Sequence, residues 1–397
     1  MRIRSQSGRT HILGYCANVH PGETLAAITH AVSAFARPVR EELASPELAL
    51  GLWISRSALH ELERAGSQQL RDALQAAGIF VATLNGFPYG DFHAPVVKRR
   101  VYHPDLGSDE RRAYLLGLAE LLVALMPDDL AEGTISTLPI GHRDEPHGYA
   151  PDSCSQRAAR QLCRLSEQLA ELRARSRRSI RVCLEPEPGC WLETTADAIA
   201  FFSQELPRAA RELGVDPALC DRHLGLCYDT CHQAVCFETA AESIGALQRA
   251  GVRIGKAQLS SALELADPSD ASLRAELLRF DEPRFLHQVR TRRDDGGLAM
   301  ADDLATCAAL PTQRPWRVHF HVPIHRAAMG RLGTTSAFLA DALPLLAALP
   351  NAPHLEVETY TWSALPAGER PLDDRGLING LAAELNWARA RMQGALP

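Results

Sequence analysis

Five short apolar runs in this chain end in side chains of the kind that bind metals. They are Val182-Cys-Leu-Glu-Pro-Glu-Pro-Gly189, Gly225-Leu-Cys-Tyr-Asp-Thr-Cys-His232, Ile254-Gly-Lys-Ala-Gln258, Arg317-Val-His-Phe-His321 and Leu355-Glu-Val-Glu358. Glu185, Asp229 and Glu358 offer the hard oxygen that Mg²⁺ and Mn²⁺ prefer and that Zn²⁺ accepts. Gln258 ends its run with a weaker ligand. His319 and His321, two residues apart, share one face of a strand, and a buried histidine pair is rare without a metal or an acidic partner. Asp229 and His232 put a carboxylate at a strand end and an imidazole one turn later. The pair can serve one metal, or one can bind metal while the other handles substrate. Lys256, on the face of Gln258, could neutralise a phosphate or a developing enolate. His20 and Asn85, at the ends of earlier strands, are candidate substrate contacts. Structural roles compete with each reading: a rim carboxylate paired with arginine for Glu185, a helix cap for Asp229 and a surface imidazole for His232.

These side chains converge only if the strands carrying them lie parallel. Val182 and Leu184 oppose Cys183 and Glu185; Val318, Phe320 and Val322 oppose His319 and His321; Leu355 and Val357 oppose Glu356 and Glu358. Each strand has one greasy face and one small or polar face. A parallel α/β barrel asks for this, with chemistry at the C-terminal rim. The pattern predicts strands over 11–20, 48–54, 79–85, 134–138, 180–185, 224–229, 253–259, 316–322 and 354–359, with helices between them. That is one strand too many for a (β/α)8 barrel. Either 253–259 or 316–322 therefore lies outside it, as a hairpin with 285–292, and an insertion is expected over about 262–312 in a single domain of 1–397. Segment 86–108, rich in aromatics, proline and glycine, is too long for a plain connection and is a candidate lid. A further loop carries His142 and His147.

Bulk properties set limits. The 397 residues carry a formal net charge of −6, which argues against a general nucleic-acid binder. No run approaches the roughly 20 apolar residues of a membrane span. The N-terminus lacks the apolar core of a signal peptide. Ten cysteines without a paired CxxC set read as small hydrophobes in a reduced, cytoplasmic protein. The spacing of Cys227, Cys231 and Cys236 fits no zinc ribbon.

At these residues the chain resembles the xylose-isomerase-like TIM-barrel superfamily, which includes sugar epimerases, inosose dehydratases and the endonuclease IV type of apurinic-site nuclease. The segment Gly225 to His232 is very similar to the nuclease's Asp-Thr-Cys-His segment, and Leu184-Glu185 and Leu355-Glu-Val-Glu-Thr359 resemble its glutamate strands. Gln258 falls where the superfamily usually carries a metal-binding histidine, and the nuclease's early histidine ligands have no clear counterpart. More narrowly, Tyr15-Cys-Ala-Asn-Val-His-Pro-Gly-Glu23, Val318-His-Phe-His-Val-Pro-Ile324 and Leu355-Glu-Val-Glu-Thr-Tyr-Thr-Trp362 look like EboE, the so-called metabolite traffic protein of Ebo gene clusters.

The resemblance implies a cytoplasmic TIM barrel with a divalent metal (Zn, Mn or Mg), a small-molecule substrate, and other Ebo proteins as partners in handling a secondary-metabolite precursor. The metal set would be Glu185, Asp229, Gln258, His319, His321 and Glu358. The leading expectation is an isomerase or epimerase. Glu185 and Glu358 would exchange a proton across an enediolate, while Lys256 or His232 steadied a substrate oxygen. The alternatives are a metal-dependent phosphoester hydrolase, with His232, His319 and His321 holding an extra ion, and a non-catalytic metabolite carrier.

Overall fold

The computed structural model describes residues 1–6, 8–144 and 153–394. Eight parallel strands close into a ring. Thr10–Cys16 pairs with Leu48–Trp53. The third strand comes in two pieces, Ile79–Phe80 and Thr83–Asn85. Glu132–Thr137, Ser179–Leu184, Leu224–Asp229, Ile254–Leu259 and His354–Val357 follow, and the last pairs back onto the first. Closure leaves no barrel edge exposed, and helices cover the outside. Leu48–Trp53, Leu224–Asp229 and Ile254–Leu259 are buried at every residue, as parallel strands covered on both faces must be. The core lies where the greasy faces meet the helices, around Leu13, Leu50, Leu84, Ile135, Val182, Leu226 and Leu355.

The ninth strand is settled by pairing. Ile254–Leu259 belongs to the barrel. Trp316–Val318 lies in a second, antiparallel sheet, between Val289–Arg292 and Leu263–Leu265. Leu298–Ala301, Leu332–Thr334 and Ala328–Met329 complete that sheet. It occupies 263–334, between the seventh and eighth barrel strands, and so runs past the expected end near 312. Two more boundaries differ from expectation. The strand expected over 316–322 stops at Val318, and the backbone folds so that Phe320 N donates to Val318 O. The strand expected to reach His20 stops at Cys16, because Ala17–Val19 form a tight turn.

The barrel interior is polar beneath its mouth. Lys256 and Glu356, both fully buried, pair at 2.7 Å. Gly51 makes room for that carboxylate: a Cβ there would sit 1.2 Å from Glu356 Oε1. All ten cysteines are buried and none forms a disulfide. Among the described residues no helix is long and apolar enough to cross a membrane.

Candidate metal centre

Three carboxylates arrive at the barrel mouth from three strand ends. Glu185 and Glu358 each follow the last residue of a strand, and Asp229 is the last residue of its own. One oxygen from each lies within 4.8 Å of the others. The protein holds some of these oxygens and leaves others free. Glu358 Oε1 accepts from Asn18 Nδ2 at 3.1 Å, Asn85 Nδ2 at 3.2 Å and the Cys16 thiol at 3.4 Å. Asp229 Oδ1 caps the helix Thr230–Val235 by accepting from His232 N at 2.9 Å, and accepts from Ser260 Oγ at 2.7 Å. Asp229 thus has the structural role its sequence context allows, yet its Oδ2 has no partner. Glu185 Oε2 is equally bare.

The imidazoles complete the picture through their second nitrogens. His232 Nδ1 donates to Pro186 O at 2.9 Å, His319 Nδ1 to Gln288 Oε1 at 2.8 Å, and His321 Nδ1 to Glu358 O at 2.7 Å. The Gln288 amide is itself oriented, since its Nε2 points at Tyr102 Oη, Glu187 Oε1 and Pro188 O. Carbonyl oxygens only accept, so each ring carries its proton on Nδ1 and, when neutral, a lone pair on Nε2. Those lone pairs meet. His232 Nε2 and His319 Nε2 are 3.0 Å apart, and His321 Nε2 stands unpartnered 4.0 Å from Asp229 Oδ2. Burial, with the neighbouring histidines, pushes His319 well below the usual imidazole range. Burial also takes His321 down to about 4. His319 and His321 therefore carry no proton on Nε2 near neutral pH. Histidines tethered through the second nitrogen to a carbonyl are the arrangement seen at metal sites.

Electrostatics point the same way. Glu185, Glu187, Asp229, Glu356 and Glu358 are all buried, and Lys256, the ammonium among them, is spent on Glu356. Burial, then Glu358 and Asp229, push Glu185 far up. Burial, then Asp229 and Glu356, push Glu358 up to about 8. A cation at the mouth would reverse both directions. The donors fit one. Glu185, Asp229 and Glu358 form one potential ligand group, Asp229, His232 and His321 a second that shares Asp229, and Cys231, His319 and His321 a third that shares His321. Mixed carboxylate and imidazole donors suit Zn²⁺ and Mn²⁺.

Several residues singled out from the sequence lie elsewhere. Lys256 shares its inward face with Gln258, but two residues lower on the strand, about 7 Å deeper. Its Nζ contacts Glu356 and Ser136 Oγ, so it does not line the cavity or reach a substrate there. Gln258 pairs in register with Asp229 and Glu356 and is fully buried, and neither of its amide atoms has a hydrogen-bond partner. Its amide lies level with Asp229 on the inward face. His20 turns outward once the strand alternation stops at Cys16. It stacks on Phe35 at 4.5 Å and bonds the Tyr15 hydroxyl at 3.1 Å, away from the cavity. Asn18 occupies the mouth position instead. Asn85 is at the mouth, as expected. His142 packs against Tyr102, and His147 lies outside the described residues.

Glu187, Tyr102 and Gln288 were not singled out. Glu187 belongs to the conspicuous Glu-Pro-Glu-Pro run. It lines the cavity and accepts from Tyr102 Oη at 2.8 Å. The cavity has about 60 Å³, room for roughly four waters. Its floor is the polar set above. Its roof is Phe92, Phe285 and Tyr360, with ring centroids 5.0 to 5.4 Å apart. Segment 86–108 forms much of the cover. Val97 N and Lys98 N donate to Arg284 O at 2.8 Å, and Lys98 and Arg99 pair with Asp303 and Asp302 at 2.5 Å, fastening the segment to the second sheet.

No family model matches the chain, and no curated protein matches it. Its structural neighbours are xylose isomerase-like TIM-barrel proteins. One is the IolI protein with a bound zinc atom: 12% identical, covering 96% of this chain and 98% of that one, TM-score 0.49. Another is a xylose isomerase domain protein from Alicyclobacillus acidocaldarius: 13% identical, 96% and 99% covered, TM-score 0.48. A third is a xylose isomerase-like TIM-barrel protein from Mycobacterium smegmatis in complex with magnesium: 13% identical, 100% and 95% covered, TM-score 0.44. Likenesses this distant carry no argument about activity. None of them supports the narrower resemblance to EboE.

Proposed function

We propose that the chain is a divalent-metal-dependent enzyme that moves a proton within a small polyhydroxy substrate, an isomerase or epimerase by reaction type. One observation carries this reading: three imidazoles, each fixed through Nδ1–H on a carbonyl, turn their Nε2 lone pairs toward each other and toward bare carboxylate oxygens. Lone pairs and carboxylate oxygens buried this close together are best reconciled by a cation between them. Glu185, Asp229, Glu358, His232, His319 and His321 would hold it. When bound, a divalent ion would polarise substrate oxygens.

The protein groups do the rest. Glu185 and Glu358 enter the cavity from different strands and are the two groups placed to take and return a proton. Asn18 and Asn85 fix one oxygen of Glu358, which limits it to one direction of approach. His232 lines the cavity, where Lys256 does not, and with Nδ1–H held by Pro186 O it presents Nε2 to the ion. The aromatic roof and the fastened segment keep water out. Motif similarity to EboE supports placing the substrate among secondary-metabolite precursors handled with other Ebo proteins. We read 1–397 as one domain, with the second sheet as an insertion that supplies His319, His321 and Gln288 to the barrel mouth.

A phosphoester hydrolase is the second reading, favoured by Asp229 standing in two of the donor groups, as a bridging carboxylate would between two ions. The two readings separate on product. Metal-loaded protein is incubated in D₂O with neutral ketoses and cyclic polyols, and separately with phosphomonoesters. Deuterium entering the carbon skeleton, and lost in Glu358→Gln, supports proton transfer. Phosphate release without exchange supports hydrolysis instead.

A further inference from the structure

The opposite pole of the barrel, where the strands begin, carries a groove of about 490 Å³. Arg173, Arg177, Arg181, Arg222 and Arg253 line it, together with the carboxylates Glu132 and Asp221. Five guanidiniums against two carboxylates leave a surplus of three positive charges, on a chain whose net charge is −6. Arg181 is 1% exposed and is built in: a Cβ at Gly255 or Gly225 would lie 2.7 or 3.0 Å from its Cδ. Its Nη1 donates to Asp221 O and Leu224 O, and its Nε reaches Glu132 at 3.5 Å. Its Nη2 has no partner among the described residues. Glu132 is already shared with Arg253 Nη2 at 2.7 Å, and Arg253 Nε is buried without a partner. The side chains of Arg173, Arg177 and Arg222 make no ion pair or hydrogen bond among the described residues.

Helix ends account for part of this. Arg173 and Arg222 lie in the last turns of Cys154–Ser176 and Pro217–His223, where a cation is favoured. They do not account for Arg177. It caps the first of these helices at φ 61°, a left-handed position where glycine costs least. Its neighbour Arg178, by contrast, is fully engaged with Val123 O, Met126 O and Asp128.

We propose that this groove is a binding site for a small molecule carrying two adjacent phosphates, separate from the metal centre. Guanidinium forks match phosphate oxygens pairwise. A phosphate brings roughly one and a half to two negative charges near neutral pH, so two of them answer the surplus of three. The groove is also too large for a single phosphate.

The test is calorimetric titration of the full chain with inorganic pyrophosphate and with ADP at low salt, beside Arg177→Gly/Arg222→Ala. Glycine suits the backbone at 177, so the variant keeps its fold and melting temperature. The expected result is one site per chain, weakened by roughly tenfold or more in the variant and by added salt. Three results would overturn the proposal: no binding at millimolar ligand, unchanged affinity in the variant, or inorganic sulfate binding as tightly as pyrophosphate.

Discussion

Removing the metal should make the folded protein sensitive to pH in a direction set by Glu358. Burial, Asp229 and Glu356 move that carboxyl from 4.5 to about 8 in the folded state without a cation. A raised carboxylate contributes stability that is fully present below the unfolded value of 4.5. The contribution is lost as pH rises toward the folded value, because the unfolded chain ionises first. His321, lowered to about 4, works in the opposite sense, but only below 6.5. The window from pH 6.5 to 8 therefore isolates the carboxylate among these groups. At about 1.4 kcal/mol per pH unit, with the loss flattening near pH 8, Glu358 should cost roughly 1.5 kcal/mol across it. The assay is urea unfolding with excess chelator at both pH values, on wild type and Glu358→Gln. The difference between the two cancels the groups that do not interact with Glu358, and reports Glu358 together with its coupled neighbour Glu185. Wild type should lose about that amount relative to the variant, and Mn²⁺ or Zn²⁺ should abolish the loss. Parallel pH profiles for the two proteins would refute the reasoning.

Asp229→Asn keeps a helix cap, so the variant should fold while its Mn²⁺ or Zn²⁺ affinity, read by calorimetry, drops by roughly a hundredfold. Gln288→Leu removes the acceptor that orients His319 and should weaken metal binding by about 10- to 100-fold without changing the barrel, as circular dichroism would verify. Gly51→Ala forces a Cβ onto Glu356 and parts a buried ion pair, so denaturant unfolding should show a loss of about 3–5 kcal/mol. Lys98→Ala/Arg99→Ala unfastens segment 86–108. Hydrogen exchange should speed up at 91–103 and stay unchanged in the barrel strands.

The barrel was legible because its strands are two-faced: Val182 and Leu184 must go out, so Cys183 and Glu185 go in. The same alternation could not say what a strand pairs with. Trp316–Val318 has one greasy face in an antiparallel sheet just as it would in a parallel one, and so the alternation leaves open whether the histidines after it follow a barrel strand. Pairing shows that they reach the mouth from the inserted sheet. Depth was also invisible. Lys256 and Gln258 share a face, and only the three-dimensional stack shows Lys256 sunk beneath the cavity on Glu356. His20 was misplaced because a three-residue turn ends the alternation at Cys16, and nothing in Ala17-Asn-Val19 announces it. Gln288 and Tyr102 sit in irregular segments with no periodicity to read, so their hold on His319 and Glu187 appears only once the chain is folded.

The central claim is a divalent cation at the barrel mouth. Metal content by mass spectrometry, on protein purified with neither chelator nor a nickel column, tests it most directly. The account predicts near-stoichiometric Zn, Mn or another divalent metal in wild type, and none in Glu185→Ala/Asp229→Ala. Wild-type protein that holds no metal after incubation with Mn²⁺ and Zn²⁺ would contradict it.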